Sequence, residues 1–114
     1  MIDMRISEAE KKVYIDVSGY ITSKDARDFL AKYKQKAKGM RTTQYKLVVE
    51  PSIFRCENDD DIRTVCMTFF KHGYKKIYIV DPNNYIMNTL ELGSMEKKIF
   101  QKSVKMINTK EDAR

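Results

Sequence analysis

Four glycines, two prolines, two cysteines, one histidine and no tryptophan are spread through 114 residues. Each scarcity closes a class of function. The scattered glycines leave no glycine-rich loop to cradle a phosphate. Cys56 and Cys66 fit no C-x-x-C pattern, and Cys66 falls on an apolar helix stripe, so both are expected as reduced, unpaired thiols in a cytoplasmic setting. His72 is the only histidine. It stands at a helix C-terminus, where the dipole explains it better than catalysis does. A Cys–His nucleophilic pair is disfavoured, because Cys66 points to the core. No apolar run approaches the roughly 20 residues that span a bilayer. The opening MIDMRISEAE carries acids and alternates, unlike a signal peptide.

What remains is the composition of an ordinary globular chain, 42% hydrophobic and 33% charged. The length suits a single domain over 1–114 with a core of its own. The net charge of +6 admits an acidic partner without requiring one.

The segment from Tyr45 to Pro82 organises the chain. Leu47-Val48-Val49 and Ile77-Tyr78-Ile79-Val80 are short β-branched runs suited to strands buried on both faces. Between them Ile62, Val65, Cys66, Phe69 and Phe70 recur at helical spacing and define one apolar stripe. Asn58 or Asp59 caps its start, Glu57 and Asp59–Asp61 favour the positive end of its dipole, and Gly73 closes it. Strand, helix and strand of this length make a right-handed crossover, so Tyr45–Glu50 and Lys76–Val80 are expected to run parallel.

On the N-terminal side, Ile2, Met4 and Ile6, then Val13, Ile15 and Val17, alternate with polar residues and predict two strands with one wet face. Ser7–Lys12 joins them as a hairpin, and Gly19 is expected to break the second. Thr22 or Ser23 caps a helix with Ala26, Phe29, Leu30, Tyr33 and Ala37 inward, ended by Gly39. On the C-terminal side, Asp81-Pro82 predicts a helix start, with Asp as cap and Pro at the first position, and a short helix over 84–92. Met95–Phe100 reads as a turn or short helix, Val104–Ile107 as a brief edge strand, and Thr109 as the cap of a further helix start. The order is β-β-α-β-α-β-α-(β), an α/β fold with a mixed sheet of four to five strands and helices mainly on one face.

No catalytic or metal-binding constellation emerges, and no cofactor is implied. The acids at Glu57–Asp61 lack the alternate spacing and central glycine of a calcium loop. Asp16, Glu50 and Asp81 sit at strand ends with nothing to mark an acid–base pair. Lys75, Lys76 and Tyr78, with Lys97, Lys98 and Lys102, could offer a nucleic-acid surface, but the lysines are spread over every element and arginines are few, which disfavours it.

The element order is similar to that of the STAS domain, found in bacterial anti-sigma-factor antagonists and in the cytoplasmic domains of sulfate transporters. VYIDVSGYITSKDARDFL resembles that family's opening strand and step into the first helix. FKHGYKKIYIVDP resembles its second-helix glycine followed by a strand and proline. NYIMNTLELGSMEKKIF resembles its leucine–glycine segment, and NTKEDA the start of its terminal helix. The resemblance implies a non-enzymatic regulatory module that binds a protein partner. Members that act as phosphorylation switches carry Asp-Ser-(Ser/Thr)-Gly before the second helix. Here that place falls near Arg55-Cys56-Glu57-Asn58, which has no hydroxyl; Ser52 is the nearest. A usual serine switch is therefore not expected, and constitutive binding is. The expected contact surface is the loop Pro51–Asn58 with the exposed face of the helix over 59–72, and its candidate residues are Ser52, Phe54, Arg55, Cys56, Glu57, Asp59 and Asp60. Phe54 has a second possible role, plugging the core beneath the loop. The rival readings are a small-molecule or nucleotide-binding module using the same loop, and a basic nucleic-acid-binding protein. An acidic helix start counts against phosphate there.

Overall fold

The computed structural model describes residues 1–113. Its five strands are β1 (Ile2–Ser7), β2 (Lys12–Ile21), β3 (Lys46–Cys56), β4 (Lys76–Val80) and β5 (Val104–Ile107). They lie in one sheet in the order in which they occur in sequence. Strand β1 runs antiparallel to β2, and every other neighbouring pair is parallel, as the apolar runs of β3 and β4 require. The helices are α1 (Ser23–Ala37), α2 (Asp59–Phe70), α3 (Tyr85–Thr89) and α4 (Ser94–Ser103).

Each crossover steps to the next strand in the same direction, so right-handed connections place all the helices on one face. The main core lies between that face and the helices. Val13, Ile15, Leu47, Val49, Ile77 and Ile79 meet Phe29, Tyr33, Ile62, Cys66 and Phe69 there. Phe69 is 1% exposed and takes edge contacts from Tyr33 at 5.1 Å and Phe29 at 6.3 Å between ring centroids. On the opposite face a smaller cluster joins Val48, Tyr78 and Ile107 to Ala113, which arrives there by a short 3-10 turn over Lys110–Asp112.

The helix ends follow their local signals. Thr22 Oγ1 accepts from Asp25 N–H, and the Asp25 carboxylate accepts from Thr22 N–H, a reciprocal cap. Asn58 caps α2 by accepting from Asp60 N–H. Gly73 takes φ +80 after α2, a conformation that costs other residues steric strain. His72, expected to act through the helix dipole, has a more specific role. Its Nδ1 lies 2.6 Å from the Tyr33 hydroxyl, which lies 2.6 Å from the Tyr74 hydroxyl. This chain of polar groups lets two tyrosines be buried without orphaned oxygens.

Three expectations change, and a fourth, the turn or short helix over Met95–Phe100, resolves to helix. Strand β2 does not stop at Gly19 but passes through it to Ile21. Strand β3 does not stop at Glu50 but runs six residues further to Cys56, so Pro51–Cys56 is strand rather than loop. Pairing with the prolonged β2 supplies the partners that sequence patterning could not show. Met95–Phe100 lies within a ten-residue helix, α4. Arg63 ties it to α2, donating to both Glu96 carboxylate oxygens at 2.7 and 2.8 Å and to Leu90 O at 3.1 Å. Finally, Asp81-Pro82 does not open a helix directly; a turn intervenes and α3 begins at Tyr85.

Candidate functional site

The C-terminal ends of β2, β3 and β4 meet the starts of α1, α2 and α3 at one end of the sheet. The extension of β3 shapes this end. Pairing passes from Val17–Pro51 to Gly19–Phe54, so Ser52 and Ile53 together oppose Ser18, a β-bulge. Gly19 at φ +73 admits the added twist. The bulge turns Ile53 outward until it is 95% exposed, the most exposed of the large apolar residues among those described. Tyr20, Tyr85 and Met87 are exposed at the same end. Phe54 is half-buried, packs against the core and lies 5.5 Å from the Tyr85 ring. It therefore both plugs the core and borders the apolar surface.

The seven residues expected to form the contact surface divide by position. Phe54 and Cys56 are half-buried, and Arg55 and Ser52 are exposed. Ser52 lies beside Val80–Asn83 and Tyr85, at the end of β4, not beside the start of α2. Arg55, Cys56, Glu57 and Asp59 line an open polar groove together with Ser23 and Tyr85. Sequence reading did not find Ile53, Tyr20 or Ser23, because each depends on the β2–β3 extension or on proximity across 30 or more residues.

The acids at α2 are largely engaged. Glu57 Oε1 accepts from Ser23 N–H at 3.0 Å, and Asp61 accepts from Ser23 Oγ at 2.7 Å. Tyr85 donates to Asp59 at 3.4 Å. Carboxylates from the second helix start thus satisfy the first one as well, where orphan N–H groups and the dipole favour negative charge. Among the described residues, no group of acids, cysteines and histidine is arranged to hold a metal ion.

Beneath Phe54 lies an apolar cavity of about 50 Å³, lined by Ile15, Val49, Cys56, Cys66 and Phe69 among others. Both thiols reach it. Burial first, then the Asp61 and Asp59 carboxylates, pushes the Cys56 thiol up to about 11; burial first, then Asp81, pushes Cys66 up to about 12. At pH 8 the thiolate of Cys56 is then only about one part in a thousand, and a thiol reacts as its thiolate. The expected result with a chromogenic disulfide reagent at pH 8 is slow, sub-stoichiometric labelling of the folded protein and two thiols after denaturation. Fast labelling of either cysteine in the folded protein would contradict these environments.

Nucleotide-binding parallel sheets place their ligand in a crevice where successive crossovers depart in opposite directions. Here all crossovers go the same way. The surface at this end is an apolar ridge, led by the exposed Ile53, beside the polar groove.

No family model and no curated protein matches the sequence. Solved structures do match the fold. One is an uncharacterised protein of the DUF3478 family with a SpoIIAA-like fold from Shewanella loihica PV-4, 14% identical, with a TM-score of 0.57 over 99% of this chain and 89% of that one. Another is the anti-sigma factor antagonist SpoIIAA in its unphosphorylated form, 13% identical, with a TM-score of 0.59 over 99% of this chain and 94% of that one. The fold is therefore SpoIIAA-like, as the resemblance to STAS domains implied. Among the described residues no helix is long and apolar enough to cross a membrane.

Proposed function

We propose that this chain is a non-enzymatic, cytoplasmic interaction domain that holds a protein partner at the ridge around Ile53, without a serine phosphoswitch. The observation that carries the reading is the bulge that presents Ile53 at 95% exposure next to Phe54 and Tyr85, with Tyr20 and Met87 exposed at the same end of the sheet. An isolated exposed apolar residue needs no explanation, whereas a group of them rimmed by polar residues is the usual mark of an interface. The likeness to an anti-sigma factor antagonist supports a protein as the partner. Arg55, with Glu57 and Asp59 in the adjoining groove, supplies the polar rim, and Asp60 is exposed one residue further on.

The charge balance supports constitutive binding. Phosphate carries about −1.5 to −2 charges and would meet Glu57, Asp59, Asp60 and Asp61 at the start of α2. Glu57 and Asp61 already hold Ser23, and Asp59 holds Tyr85. These acids take the part that a regulated charge would otherwise play. Ser52, exposed beside the ridge, is the one hydroxyl whose phosphorylation would oppose this reading.

The test compares wild-type protein with Ile53→Asp as bait in extract from its own cells, read by quantitative mass spectrometry. Ile53 makes so little contact that stability should change by less than about 0.5 kcal/mol. A central interface residue is worth about 2 kcal/mol or more, so at least one captured protein should fall by roughly thirtyfold or more. The reading fails if no captured protein depends on Ile53, or if native protein carries stoichiometric phosphate on Ser52 and Ser52→Asp releases the partner.

A further inference from the structure

The lysines that look dispersed along the sequence gather in space. Strands β2, β3 and β4 are parallel, so their first residues lie at one end of the sheet, opposite Ile53. Lys12 is the register partner of Lys46, and Lys46 of Lys76. Three cations therefore stand in a row on neighbouring strands, an arrangement of like charges that costs stability. The loops beside the row add more. Lys46 N–H donates to Lys11 O, and Lys75 N–H donates to Tyr45 O, both at 3.0 Å, so Lys11 and Lys75 are held against the strand starts. Lys36, Lys38 and Arg41 line a groove with Lys11 at the end of α1.

Acids near this end include Glu8, on the rim of that groove, and Glu10, which accepts from the Tyr14 hydroxyl at 2.6 Å. Glu111 and Asp112 precede Ala113, whose carbonyl accepts from Lys12 Nζ at 3.4 Å. That bond does not neutralise the Lys12 cation, nor does the Tyr45 ring, whose centroid lies 5.2 Å from Lys11 Nζ, neutralise Lys11. The ion pairs of Lys24, Lys32 and Arg63 lie outside this group. Complementing the helix dipole explains lysines in the last turn of α1. It does not explain the row on the strands.

We propose that this end of the sheet binds the phosphodiester backbone of double-stranded nucleic acid without reading sequence. Adjacent strands are about 4.8 Å apart, so the row spans roughly 10 Å. A duplex offers one phosphate per about 3.4 Å along each strand. Base stacking has little to use, because Tyr45 and Tyr74 are buried and the half-buried Tyr14 is bonded to Glu10 and covered by Arg5, 4.3 Å from its ring centroid. A membrane is disfavoured for a related reason. The exposed large apolar residues among those described are Met1, Tyr20, Ile53, Tyr85, Met87 and Met95, and the topology puts all of them at or near the opposite end. The proposal is independent of the partner ridge.

The test is fluorescence anisotropy with a random-sequence DNA duplex of 16 base pairs, using full-length protein. If four phosphates are neutralised, affinity should fall roughly a hundredfold or somewhat more between 50 and 200 mM salt, from a log–log slope of about −3.6. Lys46→Gln/Lys76→Gln, at half-buried positions, and Lys38→Gln/Lys75→Gln, at exposed ones, should each weaken binding at least tenfold and reduce the slope by about 2. Lys97→Gln/Lys98→Gln on α4 removes the same charge elsewhere and should change affinity less than threefold. Ile53→Asp should leave duplex binding unchanged. The proposal is overturned by no binding at 50 mM salt up to 100 µM protein, on the order of the weakest ordinary non-specific affinity. It is also overturned if the α4 variant loses as much as the others, which would leave net charge alone as the cause. Tighter binding to vesicles containing phosphatidylserine than to the duplex at the same salt would assign the surface to membranes and overturn it as well.

Discussion

Phe69→Ala is expected to destabilise the protein by about 3–5 kcal/mol, the range for truncating a buried aromatic residue. The ring is 1% exposed and packs edge-on against Tyr33 and Phe29 of α1, so it joins α2 both to the sheet and to its neighbouring helix. A cavity of about 50 Å³ already touches it. Removing the ring enlarges that void instead of opening a new one, and the surrounding Ile15, Val49 and Ile62 are held by strands and a helix that cannot readily close over it. Urea unfolding is the measurement. A loss below about 1 kcal/mol would mean that the site collapses easily and that α2 is held elsewhere. The reverse change has value too. Because the cavity is apolar, filling it from Val65 with Val65→Ile should be neutral or stabilising, whereas a close-packed site would be strained by the added methylene.

Much of this fold was legible because its signals are local or periodic. The stripe from Ile62 to Phe70 set the inward face of α2, and the β-branched runs of β3 and β4 marked parallel strands. Capping residues put the start of α1 at Thr22 or Ser23, and the structure has Thr22 as the cap. The corrections at Gly19 and Glu50 share one physical cause. Pro51, Ser52 and Arg55 have no strand propensity to speak of, and Gly19 reads as a terminator, yet β2 and β3 continue because each supplies the other's hydrogen-bond partners. That pairing creates the bulge, and the bulge creates the Ile53 ridge. The site therefore had its approximate location in the sequence, near Pro51–Asn58, but not its main residue. The lysines illustrate the same limit. Lys12, Lys46 and Lys76 are about 30 residues apart, and only the parallel register shows that they are neighbours.

Asp81→Ala is expected to cost about 2–4 kcal/mol and to loosen α3 before the rest of the protein. Asp81 was read as a helix cap followed by a first-turn proline, and the structure gives it the capping chemistry by a different route. The nominal N-cap, Asn84, has φ +58 and makes no side-chain cap bond. Asp81 reaches past the turn instead: Ile86 N–H donates to one carboxylate oxygen at 3.1 Å and Met87 N–H to the other at 3.0 Å. Its own N–H donates to Ile107 O at 2.9 Å, and its carbonyl accepts from Asn84 N–H at 3.1 Å. A helix of five residues cannot hold itself, since isolated helices under about 12 residues are marginal in water. A bond to a charged acceptor contributes about 1.5–3 kcal/mol, and water can reach Met87 N–H better than Ile86 N–H, so the total falls short of twice that value. Hydrogen exchange should show Ile86 and Met87 losing protection first. Tyr85 opens α3 and packs on Phe54, so the partner ridge should loosen with it. Asp81→Asn keeps one acceptor oxygen but sets an amide N–H₂ against a backbone N–H, so it should recover less than half of the loss. A stability for Asp81→Ala within about 0.5 kcal/mol of wild type, with protection at Ile86 intact, would show that α3 is held by Ile86 and Leu90 packing alone.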